Sequence, residues 1–179
     1  MKNESNVGKW DWAYKNQETP KKYGDETTYL MGWKYLKNCK IIEDWGCGFG
    51  YFGTLVPDDR YVGVDGSYSK FAKKIVDLET YKSTPSGIFM RHVLEHNFEW
   101  KKILINALES FQEKMVLIIF TKWGEVTKVI ADNPRYNVPD ISFCKDDLLE
   151  EISKYKYTLE ENIITGAQYG VEHIFYIEK

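Results

Sequence analysis

The chain has 179 residues, 43% of them hydrophobic and 28% charged, a length that predicts one domain with a buried core. A net charge of −3 speaks against a basic face built to neutralise many nucleic-acid phosphates. Cys39, Cys47 and Cys144 lack C-x-x-C spacing, which supports neither a disulfide framework nor a zinc ribbon. The start has no apolar signal stretch, and no apolar run reaches the roughly 18 residues of a membrane span. The expectation is a soluble, cytoplasmic protein without a resident metal.

Residues 1–24 show no periodicity, yet carry Trp10, Trp12, Tyr14 and Tyr23. Free tails are poor in aromatics, so this segment is expected to pack on something. "DETTYLMGWKYLKN" (25–38) predicts a helix, with Asp25 as cap and Tyr29, Leu30, Trp33 and Leu36 at helical spacing. "CKIIED" (39–44) is a strand running into the glycine turn "WGCGFG", and "YFGTLV" (51–56) is expected to open a helix. "RYVGVD" (60–65) is a second strand that ends on an acid. "YSKFAKKIVDLETY" (68–81) is expected to hold a helix, with a short third strand around Lys74–Leu78.

"GIFMRHVL" (87–94) predicts a fourth strand and "WKKILINALESFQEK" (100–114) an amphipathic helix. "MVLIIFT" (115–121) is almost wholly apolar, as a parallel strand covered on both faces should be. A loop with Pro134 and Pro139 and a helix near 146–154 follow. "YTLEENIIT" (157–165) and "VEHIFYIE" (171–178) then form a closing hairpin. Strand–helix alternation with this ending predicts a doubly wound α/β sheet with helices on both faces.

In such a sheet the first strand–turn–helix unit receives the ligand. Gly46, Gly48 and Gly50 allow positive φ and close approach of a ligand to the backbone. The spacing is G-x-G-x-G, not the dinucleotide fingerprint, and no Gly-Lys-Ser/Thr follows. Asp44, just before the turn, would repel a pyrophosphate and suits a cationic group. Asp65 stands about 20 residues after the first glycine, where a carboxylate can take both ribose hydroxyls. These features describe an adenosine that carries a positive charge in place of phosphates.

"IIEDWGCGFG", "YVGVDGS", "VDL" and "MRHVLEH", in this order, resemble the class I S-adenosylmethionine-dependent methyltransferases. The resemblance implies an α-β-α sandwich around a mostly parallel, seven-stranded sheet with a C-terminal antiparallel hairpin. It implies S-adenosyl-L-methionine as cofactor, its methionine part bordered by Asp44, Trp45, Gly46, Cys47, Gly48 and Gly50. Asp65 would hold the ribose, with Gly66 and Ser67 beside the adenine, Asp77 at its amine and Leu78 on its ring. Arg91 and His92 would meet the methionyl part. "WDWAY" resembles a stretch that several members fold over the cofactor, which points to Trp10 and Tyr14 in a lid formed by residues 1–24, with Trp12 on the substrate side or in the core. The implied activity is methyl transfer to an O or N atom of a small molecule. RNA, DNA or protein acceptors, or a non-catalytic cofactor-binding module, are the alternatives.

"HVLEH" (92–96) also fits the H-x-x-E-H zinc-protease pattern, but it starts where an apolar strand ends, and the single remaining histidine is His173. His96 is open to two readings, a general base or a structural residue. "NPRY" (133–136) is one proline short of the N-P-P-Y box of amino-methylating enzymes and reads better as a loop. "PKKY" (20–23) and "WKKI" (100–103) read as solvated faces.

Overall fold

The most apolar stretch of the chain becomes the middle of a sheet. In the computed structural model, which describes residues 5–179, β5 (Lys114–Ile119) has Met115–Ile119 wholly buried. The first four residues of the expected lid lie outside the described residues. On one side β5 pairs in parallel with β4 (Gly87–Arg91), and on the other it pairs antiparallel with β9 (Val171–Glu178). β1 (Ile42–Trp45), β2 (Tyr61–Asp65), β3 (Lys74–Ile75) and β8 (Lys156–Ile164) complete seven strands in the order β3-β2-β1-β4-β5-β9-β8. The first five in that order run parallel, and β9 and β8 form the expected antiparallel hairpin.

Both faces of the sheet are covered. α2 (Thr27–Leu36) brings Tyr29 and Leu36 onto Phe89, Val116 and Ile174. Asp25 steadies the start of α2, its Oδ1 accepting the Thr27 N–H at 2.9 Å. On the opposite face α3 (Trp100–Ser110) and α4 (Lys145–Ile152) pack Ile103, Leu104, Ala107, Leu148 and Ile152 against Ile88, Leu117 and Phe175. A further short helix, α1 (Asp11–Tyr14), stands in the N-terminal segment. The chain winds from β1 outward to β3 and then crosses back to β4, so the crevice of the switch point opens at the carboxyl ends of β1 and β4.

Two expected helices do not form. "YFGTLV" makes only a 3-10 turn, Phe52–Thr54, because Gly53 weakens a helix and Pro57 disfavours helical backbone at the residue before it. The stretch between Asp65 and Lys74 is shorter than the roughly 10–12 residues a crossover helix requires. There the chain stays irregular, and β3 is reduced to two residues. The region read as a loop with two prolines is instead a separate hairpin of β6 (Lys128–Asn133) and β7 (Val138–Ser142), with a bulge between Val129 and Ala131.

Candidate active site

The glycine turn leaves no room for side chains of its own, because other side chains of the chain pack closely against it. Gly46 lies at φ 76°, and a Cβ there would stand 2.4 Å from Val93 Cγ2. Gly48, at φ 47°, is covered by the Tyr14 hydroxyl. Asp65 holds this turn together: its Oδ2 accepts the Gly48 N–H at 2.8 Å, and its Oδ1 accepts the Ser67 N–H at 2.8 Å. Burial pushes the Asp65 carboxyl up to about 6 against those bonds. Asp44 is buried alongside, its Oδ2 accepting the Tyr61 hydroxyl at 2.9 Å. Burial and the nearby Asp65 push it up to about 7 although Tyr61 and Arg91 oppose them. Asp44 forms no ion pair among the described residues.

These groups face one cavity of about 310 Å³, at the small end of the usual range for ligand sites. The structure brings to it Trp10, Tyr14, Asp44, Gly46, Cys47, Gly48, Asp65, Gly66, Ser67, Asp77, Leu78, Arg91, His92 and His96. Two expected residues stand elsewhere. Side chains alternate along a strand, so Trp45 turns into the core beneath α3, where its Nε1–H donates to Glu43 at 2.8 Å and its ring meets Tyr81. Gly50 is pressed against Phe71 rather than open to the cavity. Trp12 lies neither in the core nor at the cavity; it is 63% exposed, with the Arg135 guanidinium 3.7 Å above its ring.

The N-terminal segment crosses the carboxyl ends of the strands. The Gly8 N–H donates to the Gly66 carbonyl at 2.9 Å, and the Trp10 N–H donates to Ser67 Oγ at 3.0 Å. Ser5 Oγ–H donates to Asp77 Oδ2 at 2.9 Å, and the Tyr14 ring meets Phe49 edge-on. The β6–β7 hairpin supplies the other half of this cover: Tyr136 stacks on Trp10 with centroids 4.2 Å apart. Asn133 and Tyr136 line the cavity, and the loop reading of "NPRY" missed both.

The two histidines of "HVLEH" turn to different carboxylates, so the motif gathers no common ligand set. His92, at φ 58°, directs Nε2 to Glu172 Oε1. Burial and Arg91 pull its pKa down to about 4 despite that carboxylate. Arg91 pairs with the same Glu172 oxygen at 2.8 Å, lies over the Tyr29 ring and donates from Nε to Thr28 Oγ1. His96 directs Nδ1 to the Pro139 carbonyl at 3.0 Å and to Asp140 Oδ1 at 3.2 Å. Burial opposes its protonation, but Asp140, Glu95 and that carbonyl together raise its pKa above 6.5. Among the described residues, no three His, Cys, Asp or Glu side chains could hold a metal. Asp140 and Glu172 were missed in the sequence, although each is a buried acid inside a largely apolar strand and a buried acid needs a partner. Lys101 and Lys102, from one basic pair, bond to Glu150 and Glu99, while Lys21 lines the cavity.

No protein-family model and no curated protein matches the sequence. Solved structures do match in shape. One is the 1,6-didemethyltoxoflavin-N1-methyltransferase of Burkholderia thailandensis, with S-adenosylhomocysteine and 1,6-didemethyltoxoflavin bound. The TM-score is 0.67 at 12% identity, over 86% of this chain and 76% of that one. A S-adenosylmethionine-dependent methyltransferase of Archaeoglobus fulgidus matches with TM-score 0.62 and 13% identity, over 86% and 92%. The N-methyltransferase NodS of Bradyrhizobium japonicum, in complex with S-adenosylhomocysteine, gives 0.57 and 12%, over 86% and 85%. The fold is that of the class I S-adenosylmethionine-dependent methyltransferases.

Proposed function

We propose that this chain is a S-adenosylmethionine-dependent methyltransferase that methylates an O or N atom of a small molecule. The observation that carries the reading is the buried pair Asp44 and Asp65 facing one cavity at the switch point. Asp44, without an ion-pair partner and pushed toward neutrality, fits a ligand that brings its own positive charge. The missing side chain at Gly48 lets the Tyr14 hydroxyl come close over the turn, which fits Tyr14 as part of a cover on the cavity. On this reading Asp44 and the Gly46–Gly48 turn would hold the methionyl part, Asp65 the ribose, and Asp77 with Leu78 the adenine. Arg91 and His92 would border the methionyl part, and Trp10 and Tyr14 would close the lid formed by residues 1–24.

When bound, the cofactor supplies a methyl group on a sulfonium that needs no further activation. The protein then has to bind, orient and exclude water. The small, aromatic-lined cavity and the ion-paired lysines of α3 support a small acceptor over a nucleic acid. The reading takes the 179 residues as one domain, and its cytoplasmic setting accords with three free cysteines. Titration calorimetry with S-adenosylmethionine and S-adenosylhomocysteine tests it: both should release or absorb heat at about micromolar concentration. A folded protein silent to both would overturn it. Radiolabelled methyl transfer into fractionated lysate should then place the label in the small-molecule fraction.

A further inference from the structure

Resting on the methyltransferase reading, we propose that the acceptor is a planar aromatic molecule bearing a weakly acidic O–H or ring N–H. His96 Nε2 takes that proton, and Asp140 is the positioning residue that holds the imidazole for it.

The geometry starts from Nδ1. With the Pro139 carbonyl at 3.0 Å and Asp140 Oδ1 at 3.2 Å, both partners accept, so Nδ1 carries the hydrogen. In the neutral ring Nε2 is then the unprotonated nitrogen. It has no hydrogen-bond partner among the described residues, and the imidazole lines the cavity. Asp140 is itself fixed, accepting from the Tyr169 hydroxyl at 2.7 Å and from Gln168 Nε2 at 3.0 Å. Four groups from two separate regions of the chain thus converge to orient one histidine. A core histidine with a merely structural part would not require its second nitrogen to face open space.

The surroundings define the molecule that fits there. The His96 ring lies 5.3 Å from Trp10 and 5.4 Å from Phe120, and Trp10 is backed by Tyr136. Flat aromatic walls favour a flat aromatic guest. The titratable groups that act on His96 are Asp140 on β7, Glu95 beside it and His92 at the end of β4. The N-terminal segment contributes uncharged Trp10, and Asn6 donates from its side chain to the His96 carbonyl. Two of these three titratable groups are acids, which keep the imidazolium within reach of neutral pH. A base of that strength matches a phenol-type hydroxyl or an acidic ring N–H, not an aliphatic alcohol. A tertiary amine or thioether has no proton to lose and would leave the dyad without use.

In the step, the acceptor proton passes to His96 Nε2. The freed lone pair on oxygen or nitrogen forms the bond to the methyl carbon. The carbon–sulfur bond of the sulfonium donor breaks with its pair left on sulfur, giving a neutral thioether, and His96 releases its proton to solvent.

The test uses the full chain. First, the His96 imidazole is titrated by NMR without any ligand, with His96→Gln to assign the signal. Asp140→Asn should lower its pKa by about one unit, and Asp140→Glu should restore part of the shift. An unchanged titration in Asp140→Asn would overturn the dyad. Second, with S-adenosylhomocysteine bound, 4-nitrophenol should bind and turn to its coloured phenolate. 4-Nitroanisole, which lacks the proton, should bind about tenfold more weakly, and His96→Gln should lose the colour change. Equal binding of the two probes, or an undiminished colour change in His96→Gln, would overturn the acceptor class. No heat with S-adenosylhomocysteine would instead overturn the methyltransferase reading, while the ligand-free titration would still judge the dyad.

Discussion

Asp44→Asn should make the empty protein more stable and its cofactor affinity poorer. Asp44 is 3% exposed and has its carboxyl pushed from 3.8 to about 7 by burial and by Asp65. In the window between those values the folded state binds more protons at this site than the unfolded chain. The slope of stability against pH is therefore negative there, and the ionised carboxylate is a full burden only above pH 7. A shift of about three units at about 1.4 kcal/mol each gives a burden on the order of 4 kcal/mol. Asparagine keeps the shape and can still accept the Tyr61 hydroxyl, so most of that burden should vanish. For a domain of this size each kcal/mol raises Tm by about 2–4 °C. At pH 8 the variant should melt several degrees above the parent, and at pH 4, where Asp44 is protonated, the two should coincide. Calorimetry at pH 8 should show S-adenosylmethionine binding at least about tenfold more weakly to the variant, because the cation loses its counter-charge. A melting difference that does not depend on pH, or a variant less stable than the parent at pH 8, would refute the reasoning.

Other substitutions separate binding from folding. Asp65→Ala should weaken cofactor binding and also loosen the turn, since it frees the Gly48 and Ser67 N–H groups. Calorimetry should show the loss, and hydrogen exchange should show faster exchange at both amides. Glu172→Gln leaves Arg91 and His92 buried without their shared carboxylate, and denaturant unfolding should show a loss of about 3–5 kcal/mol. Deleting residues 1–16 should leave a folded protein, because among the described residues 5–16 none belongs to either core cluster. Its cofactor affinity should fall at least about tenfold, or about 1.4 kcal/mol, by calorimetry. Native affinity and turnover in the truncated chain would show that the segment is no lid. Since His96 has its pKa raised above 6.5, kcat/KM should climb with pH above that ordinary value, and His96→Gln should flatten the climb.

Signals that depend on neighbouring residues were legible in the sequence. "MVLIIFT" had to be a strand covered on both faces because almost every side chain in it is apolar. The glycine turn and Asp65 stood at strand ends because glycines and an acid interrupt two apolar runs. The closing hairpin followed from two β-rich runs joined by a short glycine-containing turn. Trp45 and Gly50 were misplaced because their positions beside Asp44 and Gly48 hid the direction of one side chain and the packing of the other against Phe71. The missing helices were decided by span and by Gly53 and Pro57, against a helical pattern that would have held elsewhere. The pairs that define the far side of the cavity were out of reach: His96 with Asp140, Arg91 and His92 with Glu172, Trp10 with Tyr136. Each joins residues from separate parts of the chain, Trp10 and Tyr136 more than a hundred positions apart, and no local period records such a meeting. A buried carboxylate between apolar residues announces in the sequence that it needs a partner, but only the order of the strands and the path of the β6–β7 hairpin decide which partner arrives.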